Sequence, residues 1–236
     1  MIKGIIFDVG GTLVYTNHDH FETSNAWMAA NFLRSKGFRF DPEAFASRLV
    51  DIRRTLLKGD AELRQIGTTV QHLNLVAKEF AIELTGETLL QTEQAFVTPE
   101  ACGSVALPGI PEVIKKLHER FKLGIISNTR SHILIEETLK YQGLLHYFDP
   151  LVTSVSAGYC KPSIVIFQTV LDSWKFLSQQ VVMIGDSLSK DIAGAKPLGM
   201  KTVWLKTDSP DRVNQEADFV AEMPEDILTI LQMSRV

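Results

Sequence analysis

The chain opens on a short apolar run, Ile2-Lys3-Gly4-Ile5-Ile6-Phe7, that stops at Asp8. Nearly continuous apolar, β-branched residues over so short a length predict a strand buried on both faces of a parallel sheet. Gly10-Gly11-Thr12 follows as a turn. From about residue 17 to 98 the period changes to that of helices. Residues 21–36 form the first, closed by Gly37, a favoured residue just past a helix end. Asp41-Pro42 supplies a cap and a first-turn proline, opening a second helix toward Lys58 and Gly59. Val70, Leu73, Val76, Ala77 and Phe80 then recur at helical spacing, and a further helix covers about 87–96.

Beyond about residue 105, strands and helices alternate. Pro108-Gly109 starts a helix that ends near Arg120, and a strand at 122–126 runs into Ser127-Asn128. A helix at 131–142 stops at Gly143; a strand follows at 151–155, then a helix at 163–174 after Lys161-Pro162. The strand 181–184 ends at Gly185-Asp186, and a short helix at 191–198 precedes Gly199. A strand at 202–205 and a helix at 224–233 complete the pattern. Such alternation predicts an α/β fold with a Rossmann-like, doubly wound parallel sheet. The core is split: residues 1–16 and 99–236 form it, and 17–98 are an α-helical insertion. An insertion just after a strand's C-terminal end is placed above the crevice where α/β folds bind ligands.

Composition narrows the function classes. The 236 residues are 45% hydrophobic and 22% charged, as in an ordinary folded chain, with 24 basic against 28 acidic side chains and a net charge of −4. Basic residues are dispersed, which argues against a nucleic-acid partner. The sequence has no apolar run long enough for a membrane span, and Asp8 interrupts the N-terminal run too early for a signal peptide. Cys102 and Cys160 have no metal-like spacing and read as two free thiols in a cytoplasmic core. The expectation is a cytoplasmic protein, monomer or homodimer.

Candidate chemistry gathers where predicted strands end. Asp8 with Gly10-Gly11-Thr12, Ser127-Asn128, Lys161-Pro162, and Gly185-Asp186-Ser187 with Asp191 all follow strands or open the next helix. In a parallel sheet the strand C-termini share one edge, so these groups converge. Three carboxylates there repel one another unless a cation or hydrogen-bonding partner lies between them. Lys161 supplies one positive charge, and Mg²⁺, a hard ion that takes carboxylates, water and phosphate, suits the remainder. Such a site can hold a phosphoryl group while a carboxylate attacks in line.

These residues carry a resemblance. Phe7-Asp8-Val9-Gly10-Gly11-Thr12-Leu13, then Ser127-Asn128, then Lys161-Pro162, then Gly185-Asp186-Ser187 through Asp191 resemble, in order, the four motifs of the haloacid dehalogenase superfamily. The likeness covers about residues 1–15 and 100–236, and the helical insertion matches that family's cap in position and length. It implies a phosphatase acting on a small phosphorylated substrate, with Asp8 as the nucleophile that forms an aspartyl intermediate. It implies Mg²⁺ held by Asp8, the Gly10 carbonyl and Asp186. Ser127 and Asn128 would bind the transferring group, supported by Gly11 and Thr12. Lys161 would neutralise the phosphoryl oxygens, while Asp191 positions Lys161 or, with Ser187, completes the outer shell.

One departure stands out. Phosphatases of this family carry a second Asp two residues after the nucleophile, as acid for the leaving group and base for water; here that position is Gly10. Losing such a group costs about 10²–10⁴ in rate, or roughly 3–5 kcal/mol of barrier. Four readings follow. The chain is a phosphatase in which His18, Asp19 or His20 substitutes, although these also read as solvated linker residues. It is a slow phosphotransferase or phospho-switch. It is a 2-haloacid dehalogenase, whose halide leaves unprotonated. Or it is a non-catalytic binding module of the same fold.

Overall fold

The computed structural model describes residues 1–58, 67–206 and 217–233. Gly59, where the second helix was expected to stop, lies outside them. In chain order the elements are β1 (Gly4–Phe7), β2 (Val14–Tyr15), α1 (His18–Ser35), α2 (Pro42–Lys58), α3 (Thr69–Glu79) and α4 (Gly86–Gly103). There follow β3 (Val105–Ala106), α5 (Ile110–His118), β4 (Lys122–Ser127), α6 (His132–Tyr141), β5 (Phe148–Thr153), α7 (Ser154–Ala157) and α8 (Ile164–Trp174). The last are β6 (Val181–Gly185), α9 (Ala193–Ala195), β7 (Lys201–Leu205), β8 (Phe219–Ala221) and α10 (Asp226–Met233).

Six strands form one parallel sheet in the order β5-β4-β1-β6-β7-β8. The α/β class and the parallel sheet expected from the sequence are therefore present. Every residue of β1 is buried, as an apolar strand between two helix layers must be. On one face Ile6, Ile126 and Met183 pack with Ile166, Phe167, Val170 and Trp174 of α8. Gly4 and Gly124 make room for that helix: a Cβ at either would lie within 2.8 Å of the Trp174 ring. The indole Nε1 donates to the Asp149 carbonyl at 2.7 Å. The switch in strand order falls at β1, whose neighbours β4 and β6 are reached by crossovers in opposite directions.

Contacts divide the chain into two units, residues 1–16, 105–129 and 139–236 against 17–104 and 130–138. In the first unit the sheet is accompanied by an antiparallel pair, Val14 opposite Ala106 and Tyr15 opposite Val105. The second unit is helical. Its core holds Ala26, Ala30 and Leu33 of α1, Phe45 and Leu49 of α2, Leu73 and Val76 of α3, and Phe96 and Val97 of α4.

Several local expectations are corrected. The last helix of the insertion does not stop at 96 but continues through Pro99 to Gly103. The short helix expected at 191–198 is instead a π-helical turn at Leu188–Ile192, one turn of α-helix and a 3₁₀ turn. The strand expected at 151–155 is Phe148–Thr153, and β2, β3 and β8 were not expected. The two cysteines are free but exposed, so they are not core thiols. His18 and His20 are not linker residues but the first turn of α1. The side chain of Asp19 lies outside the described ones.

Candidate active site

Parallel register brings the expected residues to one edge of the sheet. Phe7 is level with Ile125 of β4 and Ile184 of β6, so Asp8, Ser127 and Asp186 all emerge at strand C-termini. The Asp8 amide continues the ladder by donating to the Ile184 carbonyl at 3.0 Å. Asp8 and Ser127 are both buried.

Lys161 is the hub. Its ammonium is buried and meets Asp8 Oδ1 at 2.6 Å, Asp191 Oδ1 at 2.7 Å and the Ile126 carbonyl at 2.9 Å. Two of its N–H groups are hydrogen-bonded, to Asp8 and to Ile126, and Asp191 is held as an ion pair. Burial alone would lower its pKa, but Asp191 and Asp8 outweigh that and raise it, so it stays charged. Asn128 fixes the loop that carries it. Its Oδ1 accepts from the Lys161 amide at 2.8 Å and its Nδ2 donates to the Lys161 carbonyl at 3.0 Å. The sequence reading aimed Asn128 at the transferring group; in the structure both ends of its amide hold the Lys161 main chain.

The carboxylates outnumber the ammonium. Oxygens of Asp8, Asp186 and Asp191 all lie within 4.8 Å of one another. Burial, and then the charges of Asp8 and Asp191, push the Asp186 pKa up. Burial does the same to Asp191, opposed by Lys161. Asp191 Oδ2 also accepts from the Ser187 amide at 3.1 Å, which ties the π-helical turn to the strand end. Thr12 Oγ1 donates to Asp186 Oδ1 at 3.4 Å, and Trp204 Nε1 holds the Asp186 carbonyl at 2.8 Å. Gly11, at φ +79°, lies so close that a Cβ would come within 2.5 Å of Asp186 Oδ2. An excess of oxygen-donor charge in a small space fits a hard divalent cation such as Mg²⁺. Gly10 differs from its neighbour: it is exposed, and a Cβ there would meet nothing within 4 Å.

The helical unit holds a second polar group that sequence reasoning missed. Arg53 of α2 stacks on the Phe96 ring, 4.6 Å from its centroid. Its Nη1 lies 3.4 Å from Nδ1 of His72, a residue 1% exposed. Arg130 belongs to the same unit, and its carbonyl accepts from the Thr69 amide that opens α3. Burial, then Arg53 and Arg130, push the His72 pKa down to about 4. Burial and then Arg130 pull Arg53 down to about 10. These residues come from three distant segments, so no local motif announces them. His18 Nδ1 pairs with Glu100 Oε1 at 2.6 Å, and His20 packs edge-on against Phe21.

Comparison with known proteins bears on the first site. A family model for haloacid dehalogenase-like hydrolases matches residues 2–199. The ribulose-1,5-bisphosphate 5-phosphatase of Halopiger xanaduensis is 28% identical over 231 residues, covering 94% of this chain and 92% of that one. The glyceraldehyde 3-phosphate phosphatase of Pyrococcus abyssi is 27% identical, covering 87% of this chain and 82% of its own. Among solved structures, a phosphatase from Thermococcus onnurineus matches in fold with a TM-score of 0.68 at 23% identity, over 100% of both chains. Among the described residues no helix is long and apolar enough to cross a membrane.

Proposed function

The chain belongs to the haloacid dehalogenase-like hydrolases, and from that premise we propose that it is a Mg²⁺-dependent phosphatase of small phosphorylated metabolites, working through a phosphoaspartate on Asp8. The observation that carries this reading is Lys161, whose ammonium holds Asp8 at 2.6 Å and Asp191 at 2.7 Å beside Asp186. A buried ammonium bonded to Asp8 fixes the rotation of its carboxylate, as an in-line nucleophile requires. The two curated relatives are named for phosphatase activity on a sugar bisphosphate and a triose phosphate, which favours phosphorylated sugars and their relatives as substrates.

In this reading an Asp8 oxygen bonds to phosphorus as the ester P–O bond breaks and the alkoxide departs. Lys161 draws charge from the phosphoryl oxygens, and Ser127, buried at the end of β4, donates to one of them. Asp8, Asp186 and the Gly10 carbonyl would hold Mg²⁺, with Asp191 and Ser187 behind them. The ion supplies charge neutralisation at the phosphoryl group. Water then attacks phosphorus, releasing inorganic phosphate and restoring the Asp8 carboxylate. Both steps lack the acid and base that an Asp at position 10 would supply. The helical unit would act as the cap that selects the substrate.

A second reading is favoured by Gly10 itself. With no base to activate water, the phosphoaspartate outlives its formation, and transfer to another acceptor competes with hydrolysis. Rapid-mix kinetics with p-nitrophenyl phosphate and Mg²⁺ tests both, because nitrophenolate leaves without an acid. The expected result is nitrophenolate release that falls by about 10⁴-fold or more in Asp8→Asn. Sustained turnover supports hydrolysis, and a burst followed by a stall supports transfer. Equal rates in the parent and Asp8→Asn overturn both.

A further inference from the structure

The helical unit concentrates its unpaired buried polar atoms. Among the described residues of that unit they are Arg53 Nε, Arg130 Nε, His72 Nε2 and Asn25 Oδ1. Arg53 is an obligate donor, so His72 Nδ1 accepts from it and the imidazole proton sits on Nε2. Three of the four atoms are therefore N–H donors that lack an acceptor. Neither Arg53 nor Arg130 forms an ion pair with a described carboxylate. The two acids nearest in charge are already engaged. Glu100 accepts from His18 at 2.6 Å and from Asn25 at 2.9 Å, and Glu22 accepts from Arg54 at 2.8 Å.

Two half-buried guanidiniums with unfilled Nε–H groups and no direct ion pair are costly, because the charges of Glu100 and Glu22 offset their burial only in part. Such a cost persists where a ligand removes it. Gly67 lies against the buried imidazole: a Cβ at that position would come within 2.9 Å of His72 Nε2. We propose that Arg53, Arg130 and His72 form an anion-binding site in the helical unit, built for a phosphate or carboxylate group. Guanidinium forks match the oxygens of either group, and a neutral imidazole N–H adds a donor without adding repulsion. The low pKa of His72 agrees, since it stays a neutral donor beside two cations across the physiological range.

The anion has two possible sources of the same chemistry. It is either a non-reacting acidic group of the substrate or a free inorganic anion. The first source rests on the phosphatase reading; the site itself does not.

The test is a titration of the full chain with inorganic phosphate in EDTA, read at the side-chain ¹H–¹⁵N resonance of His72. That signal reports the helical unit and not Asp8. A saturable shift is expected, with affinity lowered at least about tenfold in Arg53→Gln and Arg130→Gln. Gly67→Ala, which removes no charge, is expected to weaken binding as well, and each variant's unfolding temperature shows whether it has folded. A His72 resonance indifferent to phosphate, or folded Arg variants that bind as the parent does, overturns the proposal. The source is then read from turnover of two phosphomonoesters of equal size, one bearing a second phosphate. A kcat/KM preference for the bisphosphate that collapses in Arg53→Gln identifies a substrate group. No preference, with phosphate binding at His72 intact, identifies a free anion. If neither ester is turned over, the phosphatase reading fails while the titration still decides the site.

Discussion

The two units each hold an unbalanced cluster of charge, and the imbalances have opposite sign. At the sheet edge three carboxylates surround one ammonium, which pairs with two of them. In the helical unit two guanidiniums and an imidazole keep donors unfilled while the nearby acids are engaged elsewhere. The first cluster is short of positive charge and the second of acceptors. A folded chain gains nothing by either arrangement alone, since buried charge of one sign is destabilising. On the readings proposed above, the first cluster would take up a divalent cation and the second an anionic group.

The largest effect that would sharpen this comparison is expected at Gly10. A Cβ there meets nothing within 4 Å, and its φ is not in the left-handed region. Gly10→Asp should therefore fit and restore an acid/base, raising kcat by about 10²–10⁴. The gain should be greater for alkyl phosphates than for p-nitrophenyl phosphate, because only the alkoxide needs a proton. Steady-state rates on the two esters check this.

A smaller effect is expected from pH, and it isolates the helical unit. His72 has a pKa of about 4 in the fold against 6.5 for the free side chain. It is neutral in both states above about 6.5. As pH falls below that value the unfolded chain takes up the proton first, so stability declines until about pH 4, where the folded state protonates too. The loss is at most about 3 kcal/mol. His72→Gln should flatten that part of the stability curve in denaturant titrations.

Comparable in size, and confined to the sheet edge, is the response to Mg²⁺. An ion bound only by the folded state adds about 2.7 kcal/mol at a concentration a hundredfold above its Kd. Calorimetry should show the unfolding temperature rising with Mg²⁺ in the parent and not in Asp186→Asn. Smallest is the relief of Arg53: replacing it with Met, in the absence of anion, should stabilise by about 1 kcal/mol. For a chain of this length that is about 2–4 °C in Tm. A fall in Tm would show that the stacking on Phe96 outweighs the unpaired charge and would break the comparison.

The two clusters also differ in how much of them the sequence made legible. Asp8, Ser127, Lys161, Asp186 and Asp191 each stand beside a strand end, where a polar residue after an apolar run is conspicuous. Parallel pairing then forces them together, so a one-dimensional pattern was enough to gather them. Arg53, His72 and Arg130 sit among ordinary surface-like residues of three separate segments, and only tertiary packing of helices joins them. Elements failed for related reasons. β2 and β3 have two residues each and no period to detect, and Pro99 reads as a helix breaker yet lies inside α4. The two bonds of Asn128 to the Lys161 main chain were not legible, because an amide at a strand end suits a phosphoryl oxygen and a neighbouring main chain equally well on paper.

The open room around Gly10 has a consequence for descent. Gly10 is exposed and a Cβ there meets no atom within 4 Å, so an acidic side chain at this position displaces nothing. Two of the four glycine codons differ from an aspartate codon only at the second base, so a chain that uses one of them can cross between the two forms by a single point mutation, in either direction, without rebuilding the loop. Natural sequences of its near relatives should then show both residues at this position scattered across branches, each gained and lost repeatedly.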